Sequence, residues 1–387
     1  KGLRLRVGLF VFMLILKNMT KESIIFLLSV SVVTLGLSFF TAFLYTKAIP
    51  MSQLLSRGVR IAGFVFPFVF VLANALSRFS NLEFVKWIYT FMSVGAGVAF
   101  YLLLGAILLG LLMLLYKIFG KSLPVYISWI VLIASTALSV LGFIQARDIK
   151  KVSYEVLIEN LPRGFENKKA ILFSDTHYGL VNNKRAVKRL VNKINGENPD
   201  LVFIAGDLFD GPDVKTSPMI ALWSQMSLKY SVFYAPGNHE EYGNYGKFIT
   251  SIKDAGFFVL EDEAVTFNGV NIVGLKYRSK NKEAEVAEVF ENLNIENDFP
   301  TFVINHPPTF LETLEDNGAD LMMSGHTHRG QFWPLRYITK AIYGKYHYGL
   351  NTFKSLQIIT TSGVGTAGPP VRLFNTPEIV EITFKAK

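Results

Sequence analysis

The chain has 387 residues, 50% of them hydrophobic, and its lack of cysteine excludes disulfides, thiolate metal ligands and a cysteine nucleophile. The net charge of +9 arises in residues 1–150, which hold 14 Lys and Arg against 3 Asp and Glu, whereas residues 151–387 hold 25 against 27. The second part is nearly neutral, so the net positive charge does not indicate a nucleic-acid-binding surface. No nucleic-acid partner is expected.

Four apolar segments of the first part are long enough to span a bilayer, which requires about 20 helical residues. They are residues 24–45, 61–77, 87–116 and 125–144, and none contains a charged residue. A shorter apolar run, residues 7–16, has basic flanks and is expected to form a helix at the membrane surface. We therefore predict a transmembrane domain of about four helices at residues 1–150. Without intramembrane charge it favours an anchor or a lipid-facing platform over a transporter.

Loop charges predict the orientation. With four spans, both flanks and the loop at residues 78–86 share one side, which carries ten Lys and Arg against five on the opposite side. Because basic loops stay in the cytoplasm, residues 151–387 are expected there. A fifth span would invert this prediction.

Residues 151–387 alternate short β-branched runs with amphipathic stretches, a pattern typical of helices covering a sheet. Buried strands are predicted at residues 169–174, 201–205, 230–235, 301–305 and 320–324. Each ends at a polar motif, and open α/β sheets gather their ligands at the carboxyl ends of strands. Later strands alternate more strongly and are expected to form a second sheet in a layered sandwich: residues 270–275, 356–361 and 379–384.

The strand-end motifs hold five of the six histidines. They are Asp175-Thr176-His177, Gly206-Asp207-Leu208-Phe209-Asp210, Gly237-Asn238-His239-Glu240, His306 before two prolines, and Gly325-His326-Thr327-His328. Taken singly, a strand-end Asp fits a helix cap and Gly-Asn fits a turn. Together they predict a two-metal hydrolase, because two cations about 3.5–4 Å apart can clamp a phosphoryl group and activate water.

Asp207 is the expected bridge between two cations, since each of its carboxylate oxygens can hold one. The other predicted ligands are Asp175, His177 and His328 for one cation, and Asn238, His306 and His326 for the other. Imidazole, carboxylate and amide ligands without sulfur suit Mn, Fe, Zn, Co or Ni. His239 is the candidate proton donor for the leaving oxygen, and Asp210 is expected to fix its tautomer. His347 lies outside the motifs and receives no role.

This order of motifs resembles the calcineurin-like metallophosphoesterase superfamily, over residues 170–384. The resemblance implies a four-layer αββα sandwich at residues 151–387 and two divalent metal ions, with Mn²⁺ favoured. It also implies the bridging role of Asp207 and the leaving-group role of His239. The flanks at residues 325–331 and 362–372 are similar to a bacterial membrane-anchored branch that includes UDP-2,3-diacylglucosamine hydrolases. An integral protein of the bacterial inner or plasma membrane is therefore expected.

The predicted function is a membrane-anchored phosphodiesterase or pyrophosphatase, with a lipid-linked or nucleotide-linked substrate. The alternatives are a phosphomonoesterase for soluble substrates and a catalytically silent scaffold or sensor. Arg329 and Arg372 are candidates to bind a phosphate oxygen through a bidentate fork. The alternative for each is a structural ion pair, which is favoured for Arg372. The aromatic and basic segment at residues 329–350 either meets the bilayer or an amphiphilic substrate, or packs on the sheet as an ordered loop. Protein partners and oligomeric state are not predicted.

Overall fold

The computed structural model describes residues 21–79, 83–211, 214–227 and 229–387. The predicted surface helix at residues 7–16 lies outside these ranges. The chain divides into two compact units, Lys1–Val140 and Leu141–Lys387. The domain boundary that the composition places at residue 150 stays a prediction.

The described residues of the amino-terminal part form four long helices: α1 (Lys21–Ala48), α2 (Gln53–Phe79), α3 (Glu83–Ile118) and α4 (Val125–Gln145). Three apolar stretches of the described residues are long enough to cross a membrane: Gln53–Asn74, Glu83–Ile118 and Val125–Gln145. They correspond to the second, third and fourth predicted spans. In α1 the described apolar stretch is the shorter Val32–Ala48, so the span at residues 24–45 stays a prediction.

Small residues bring α1, α3 and α4 close together inside the first unit. A Cβ at Gly105 would lie 2.1 Å from Ser135 Oγ and 2.4 Å from the Tyr45 hydroxyl, so a larger residue does not fit there. The hydroxyls of Tyr45 and Ser135 are 3.4 Å apart and hydrogen-bond across the helices. Close approach at small residues and interhelical hydrogen bonds hold helices together in bilayers. The three helices therefore pack as a bundle.

Two six-stranded sheets form the centre of the second unit. The first contains, from edge to edge, β1 (Lys150–Ile158), β12 (Glu378–Ala386), β2 (Lys169–Phe173), β3 (Leu201–Ala205), β4 (Ser231–Ala235) and β5 (Phe258–Val259). The second contains β10 (Gly349–Phe353), β11 (Leu356–Thr360), β9 (Ala319–Ser324), β8 (Thr301–Ile304), β7 (Val270–Gly274) and β6 (Glu263–Phe267). The strands β2 to β5 run parallel to one another, as do β11, β9, β8 and β7.

Helices cover the outer face of each sheet. Those packed on the first sheet are α5 (Lys184–Glu197), α6 (Ser217–Ser227) and α8 (Tyr245–Asp254), which follows the short α7 (Asn238–Glu241). Those on the second sheet are α9 (Glu283–Asn292) and α10 (Leu311–Asp316). Between the sheets lies an apolar core that includes Phe203, Phe302 and Ile382. The predicted four-layer αββα sandwich is thus confirmed.

The assignment of strands to sheets differs from the prediction. Residues 379–384, expected in the second sheet, form part of β12, which lies between β1 and β2 in the first sheet. The predicted strands at 301–305 and 320–324 belong to the second sheet as β8 and β9. Alternation along a strand reports which of its faces are buried, and both faces of a central strand in a four-layer sandwich are covered. The pattern therefore does not identify the partner sheet.

Candidate active site

The predicted ligands gather where the carboxyl ends of strands from both sheets meet. Asp175, Asp207 and Asn238 follow β2, β3 and β4 of the first sheet. His306 and His326 follow β8 and β9 of the second sheet. Parallel strands place their carboxyl ends at one edge, so residues distant in the chain converge there. The structure brings together all seven residues that the sequence singled out as ligands.

The backbone is left-handed at five of these seven residues. They are Asp175, His177, Asp207, His326 and His328, with φ of 54°, 46°, 55°, 68° and 47°. A positive φ is uncommon outside glycine, and each such residue costs of order 1–3 kcal/mol and persists only where its surroundings enforce it. The chain turns abruptly at each strand end in this way. Strain of this kind concentrates at functional sites.

Glycines in the motifs allow the ligand loops to approach one another. A Cβ at Gly237 would lie 2.1 Å from Asp207 Oδ1. A Cβ at Gly325 would lie 2.1 Å from Ser174 Oγ, beside Asp175. Since real Cβ atoms do not come this close, the glycines before Asn238 and His326 are steric requirements of the site.

The first cluster consists of Asp175, His177, Asp207 and His328. The Nε2 atoms of His177 and His328 are 3.0 Å apart, and His328 Nε2 is 3.3 Å from Asp175 Oδ1. His177 Nε2 lies 3.8 Å from Asp207 Oδ2. All four side chains are buried. Two imidazole nitrogens and two carboxylates thus face one small volume, an arrangement suited to a cation.

The second cluster shares Asp207 with the first. His306 Nε2 lies 3.1 Å from Asp207 Oδ2, and His326 Nδ1 lies 3.0 Å from Asn238 Oδ1. His306 Nδ1 lies 2.6 Å from the Ala205 carbonyl and donates to it. This bond leaves the lone pair on His306 Nε2, which is how second-shell carbonyls orient histidine ligands toward metals.

The donor atoms of both clusters fit divalent cations. Among the described residues, three overlapping groups could hold a metal ion: Asp175, His177 and His328; His177, Asp207 and His239; and Asp175, Asp207 and His306. Asp175 Oδ1 and His306 Nε2 are buried and have no hydrogen-bond partner among the described residues. Buried polar atoms are normally paired, so these two atoms require another ligand.

Burial and charge set the protonation of the histidines. Burial lowers the pKa of His326 to about 4 and that of His328 well below its usual value, so both are neutral with lone pairs to offer. Burial also acts to lower the pKa of His306, but the charge of Asp207 outweighs it and raises this pKa to about 9. A positive charge is therefore favoured between His306 and Asp207, where a metal cation would supply it.

His239 and Asp210 form a pair beside the first cluster. His239 Nδ1 is 3.0 Å from Asp210 Oδ1, and the His239 ring lies 4.4 Å from the ring of His177. Burial acts to lower the pKa of His239, but the hydrogen bond to Asp210 and the charge of Asp207 raise it above its usual value. With Nδ1 held by Asp210, Nε2 is left to carry a second proton. About a quarter of each side chain is exposed, so substrate can reach the pair.

Comparison with known proteins shows what the second unit is similar to. Residues 168–330 match the model of the calcineurin-like phosphoesterase family. This part of the chain is therefore similar to a calcineurin-like phosphoesterase domain. An uncharacterized metallophosphoesterase of Helicobacter pylori is 29% identical over 226 residues, which are 57% of this chain and 60% of that protein. Another, from Campylobacter jejuni, is 24% identical over 380 residues, or 94% of this chain and 100% of that protein.

A third relative also carries a membrane part by its name. It is a transmembrane protein with metallophosphoesterase domain from Danio rerio, 27% identical over 270 residues, which are 66% of this chain and 62% of that protein. Together with the three candidate spans, this relative indicates that the phosphoesterase domain belongs to a membrane protein. The match to a branch of UDP-2,3-diacylglucosamine hydrolases stays a prediction.

Glu240 belongs to a motif that the sequence analysis singled out, but its own role was not predicted. Its Oε2 accepts hydrogen bonds from the backbone N–H groups of Asp207 (2.9 Å) and Gly237 (2.8 Å), and its Oε1 accepts from Phe209 (3.1 Å). Burial and the charge of Asp207 raise the pKa of Glu240, whereas the hydrogen bonds from Gly237 and Phe209 lower it. The fully buried carboxylate therefore ties the loop after β3 to the loop after β4.

Arg372 is not placed to bind a phosphate oxygen. It is fully buried, and it donates to the carbonyls of Gly365 and Ser362, each at 2.8 Å. Its Nη2 donates to His328 Nδ1 at 3.0 Å. We correct the predicted substrate role to a positioning role behind His328. No local pattern linked these two residues in the sequence, because they are far apart in the chain.

Arg329 is half-buried, and its guanidinium carbon lies 4.0 Å from the centre of the Tyr348 ring. The predicted binding of a phosphate oxygen by Arg329 is not tested by this contact and stays a prediction. His347 also takes a structural place, since its Nδ1 is 3.2 Å from Thr339 Oγ1 and its carbonyl accepts from the Thr327 hydroxyl. As the sequence indicated, His347 lies outside both clusters.

An aromatic rim stands beside the second cluster. The rings of Tyr277 and Tyr343 each lie 6.1 Å from the ring of His326, and Tyr277 is 6.4 Å from that of His306. Lys280 Nζ lies 4.0 Å from the centre of the Tyr343 ring. Sequence reasoning missed Tyr277 and Lys280, since no ligand motif lies near them in the chain. We use the name aromatic rim for Tyr277 and Tyr343.

The substitution Glu240→Gln tests the tie between the two loops. It places an amide N–H₂ opposite backbone donors, so we expect a loss of about 1–3 kcal/mol in stability and less bound divalent metal. The measurements are the thermal unfolding midpoint of the full chain in detergent and its metal content by mass spectrometry. Glu241→Gln is the matched control, because Glu241 is the exposed neighbour. Equal effects of the two substitutions would show that Glu240 does not organise the site.

Proposed function

We propose that this protein is a membrane-anchored phosphohydrolase that uses two divalent cations to hydrolyse phosphodiester or pyrophosphate bonds. The observation that carries this proposal is the position of Asp207 between the clusters, with its Oδ2 3.1 Å from His306 Nε2 and 3.8 Å from His177 Nε2. A carboxylate shared by two histidine-rich sites is suited to bridging two metals. Nitrogen and oxygen donors without sulfur suit Mn, Fe, Zn, Co or Ni, and the resemblance to the metallophosphoesterases favours Mn²⁺ among them.

The residues of the chain divide the work of such a reaction. Two divalent cations, when bound, would neutralise charge on the phosphoryl group and lower the pKa of water. The ligands that would hold them are Asp175, His177 and His328 on one side, Asn238, His306 and His326 on the other, and Asp207 between them. His239 gives its Nε2 proton to the leaving oxygen, while Asp210 accepts the hydrogen bond from Nδ1 and stabilises the charged ring.

The aromatic rim supports a substrate that continues beyond the phosphate. Tyr277 and Tyr343 extend the site past His326, and Lys280 adds a positive charge next to Tyr343. A phosphodiester or pyrophosphate has a second group that these side chains can contact, whereas a small monoester has none. A lipid-linked or nucleotide-linked phosphate, such as the substrate of a UDP-2,3-diacylglucosamine hydrolase, has such a group.

The proposed location is the cytoplasmic face of a bacterial inner membrane. Its support is the asymmetry of the loop charges, ten Lys and Arg on the side of the phosphoesterase domain against five on the other.

Metal content tests the shared role of Asp207. We expect about two divalent cations per chain after native purification, near zero for Asp207→Ala, and about one for His306→Ala, because only Asp207 serves both sites. His347→Ala is the matched control and retains both ions, since His347 lies outside the clusters. Mass spectrometry of the intact or digested sample measures the ratio. An Asp207→Ala chain that keeps two ions contradicts the bridge.

The leaving group tests His239. For His239→Ala we expect kcat on an alkyl phosphodiester to fall by about 10²–10⁴, since an alkoxide needs a proton as it departs. The loss on a 4-nitrophenyl ester is smaller, because nitrophenolate leaves without one. Asp210→Asn should show the same preference with a smaller loss. Equal losses on both esters would indicate that His239 acts otherwise than as a proton donor.

Substrate class is tested with the purified full chain and Mn²⁺. We expect a higher kcat/KM for bis(4-nitrophenyl) phosphate than for 4-nitrophenyl phosphate. Tyr343→Ala should raise KM for a nucleotide-linked lipid by roughly tenfold, equivalent to about 1.4 kcal/mol, and raise KM for the smaller aryl diester by less. Tyr346→Ala is the matched control, because Tyr346 packs on Phe353 instead of His326. A preference for the monoester would instead support a phosphomonoesterase.

A further inference from the structure

A helix beside the site presents an apolar face to the outside. The helix is α11 (Arg336–Tyr343), and none of its eight side chains, all of them described, is buried. The large apolar side chains exposed on and around it are Trp333 (37%), Tyr337 (56%), Ile338 (55%), Ile342 (53%) and Phe374 (57%). We call these five residues the apolar face. Such an exposed group of large side chains marks an interaction site.

Helical spacing makes this face continuous. Ile338 and Ile342 lie four residues apart and share one side of α11. Trp333 precedes the helix, and its side chain hydrogen-bonds to that of Tyr337. Trp333 and Phe374 contact each other edge to face, with ring centres 6.4 Å apart. The face therefore extends from α11 to the loop before β12.

The charged residues near the apolar face in the sequence are all basic. Arg336 and Lys340 lie in α11, and Lys345 follows it. No acidic residue stands between Asp320 and Glu378 in the sequence. Lys and Arg near a membrane surface are each attracted to anionic headgroups by about 1 kcal/mol. The charge thus complements an anionic surface.

The end of a candidate membrane span contacts the same region. The last turn of α4 belongs to the second unit, which begins at Leu141. There the Phe374 N–H donates to Gln145 Oε1 and the Arg372 N–H donates to the Gly142 carbonyl, each at 3.0 Å. Gln145 is the last residue of the span Val125–Gln145. Since spans end near the headgroup layer, this contact favours a position of Phe374 close to that layer.

We infer that the apolar face inserts into the headgroup layer of an anionic bilayer, with α11 lying in the plane of the membrane. Trp333 and Tyr337 are the residue types that prefer this layer, and Arg336, Lys340 and Lys345 contact the anionic headgroups. A second copy of this surface would bring like charges together, so self-association is disfavoured. This surface goes beyond the proposed hydrolysis, because membrane contact at α11 does not depend on turnover.

The position of α11 relates the membrane contact to the candidate active site. Tyr343, its last residue, has its ring 6.1 Å from that of the ligand His326. One short helix therefore connects the headgroup layer to the metal ligands. A lipid-linked substrate would reach the site without leaving the bilayer.

The natural lack of cysteine makes a direct test simple. Ile338→Cys gives the full chain one labelling site for an environment-sensitive fluorophore, in nanodiscs that contain phosphatidylglycerol. The control is Glu166→Cys, an exposed position before β2, at the end of that strand opposite Asp175. Lipids with a nitroxide near the headgroup are the quencher. We expect at least twofold stronger quenching and a blue-shifted emission at residue 338.

The charge of the surface is tested in the same labelled chain. Replacing Lys340 and Lys345 together by Glu should reduce the quenching at residue 338, and so should nanodiscs of phosphatidylcholine alone. Quenching at 338 no stronger than at 166 overturns the inference. A blue shift without quenching by lipid also overturns it, since a protein then covers the face. Hydrolysis of a soluble aryl phosphodiester, measured in parallel, reports separately on the proposed function.

Discussion

The hydrogen bond from His306 Nδ1–H to the Ala205 carbonyl, 2.6 Å long and fully buried, joins the two sheets at the site. His306 follows β8 of the second sheet, and Ala205 ends β3 of the first. The bond fixes the ring so that Nε2 faces Asp207, the carboxylate common to both clusters. Other polar contacts also cross between the sheets at the site, such as those from His326 to Asn238 and to Asp175, and this bond is the one that orients the His306 ring.

Much of the site was predictable from the sequence, because most of the proposed ligands stand in short motifs directly after strands. Asp175 and His177 are neighbours in the structure, with His177 Nε2 3.7 Å from Asp175 Oδ1. His326 and His328 lie two residues apart in the chain, and each faces a different cluster. The sheet of β12 and the role of Arg372 were not predictable, since both depend on contacts between distant parts of the chain. Glu240 lay within a recognised motif, but its three backbone partners appear only once the loops are folded.

The segment at residues 329–350 shows why its two interpretations could not be separated by composition. Tyr343 packs toward His326 and Tyr348 stacks under Arg329, as an ordered loop at the site would. Tyr337 and Ile338 in the same segment are more than half exposed, as a membrane-facing surface would be. Aromatic and basic residues serve both purposes, and only the helical phase of α11 assigns each side chain to one of them.

Because of the left-handed backbone at the ligands, a substitution that removes function could raise the stability of the fold. Asp and His tolerate positive φ better than most residues, but only glycine adopts it freely. At Asp207, where φ is 55°, glycine would relieve strain in the folded chain and remove the carboxylate shared by both clusters. The positions that matter most for chemistry are thus ones where a loss of function can make the fold more tolerant of heat. Relatives without selection for catalysis would tend to accumulate such replacements. Their fold would be more stable but would lack the metal ligands.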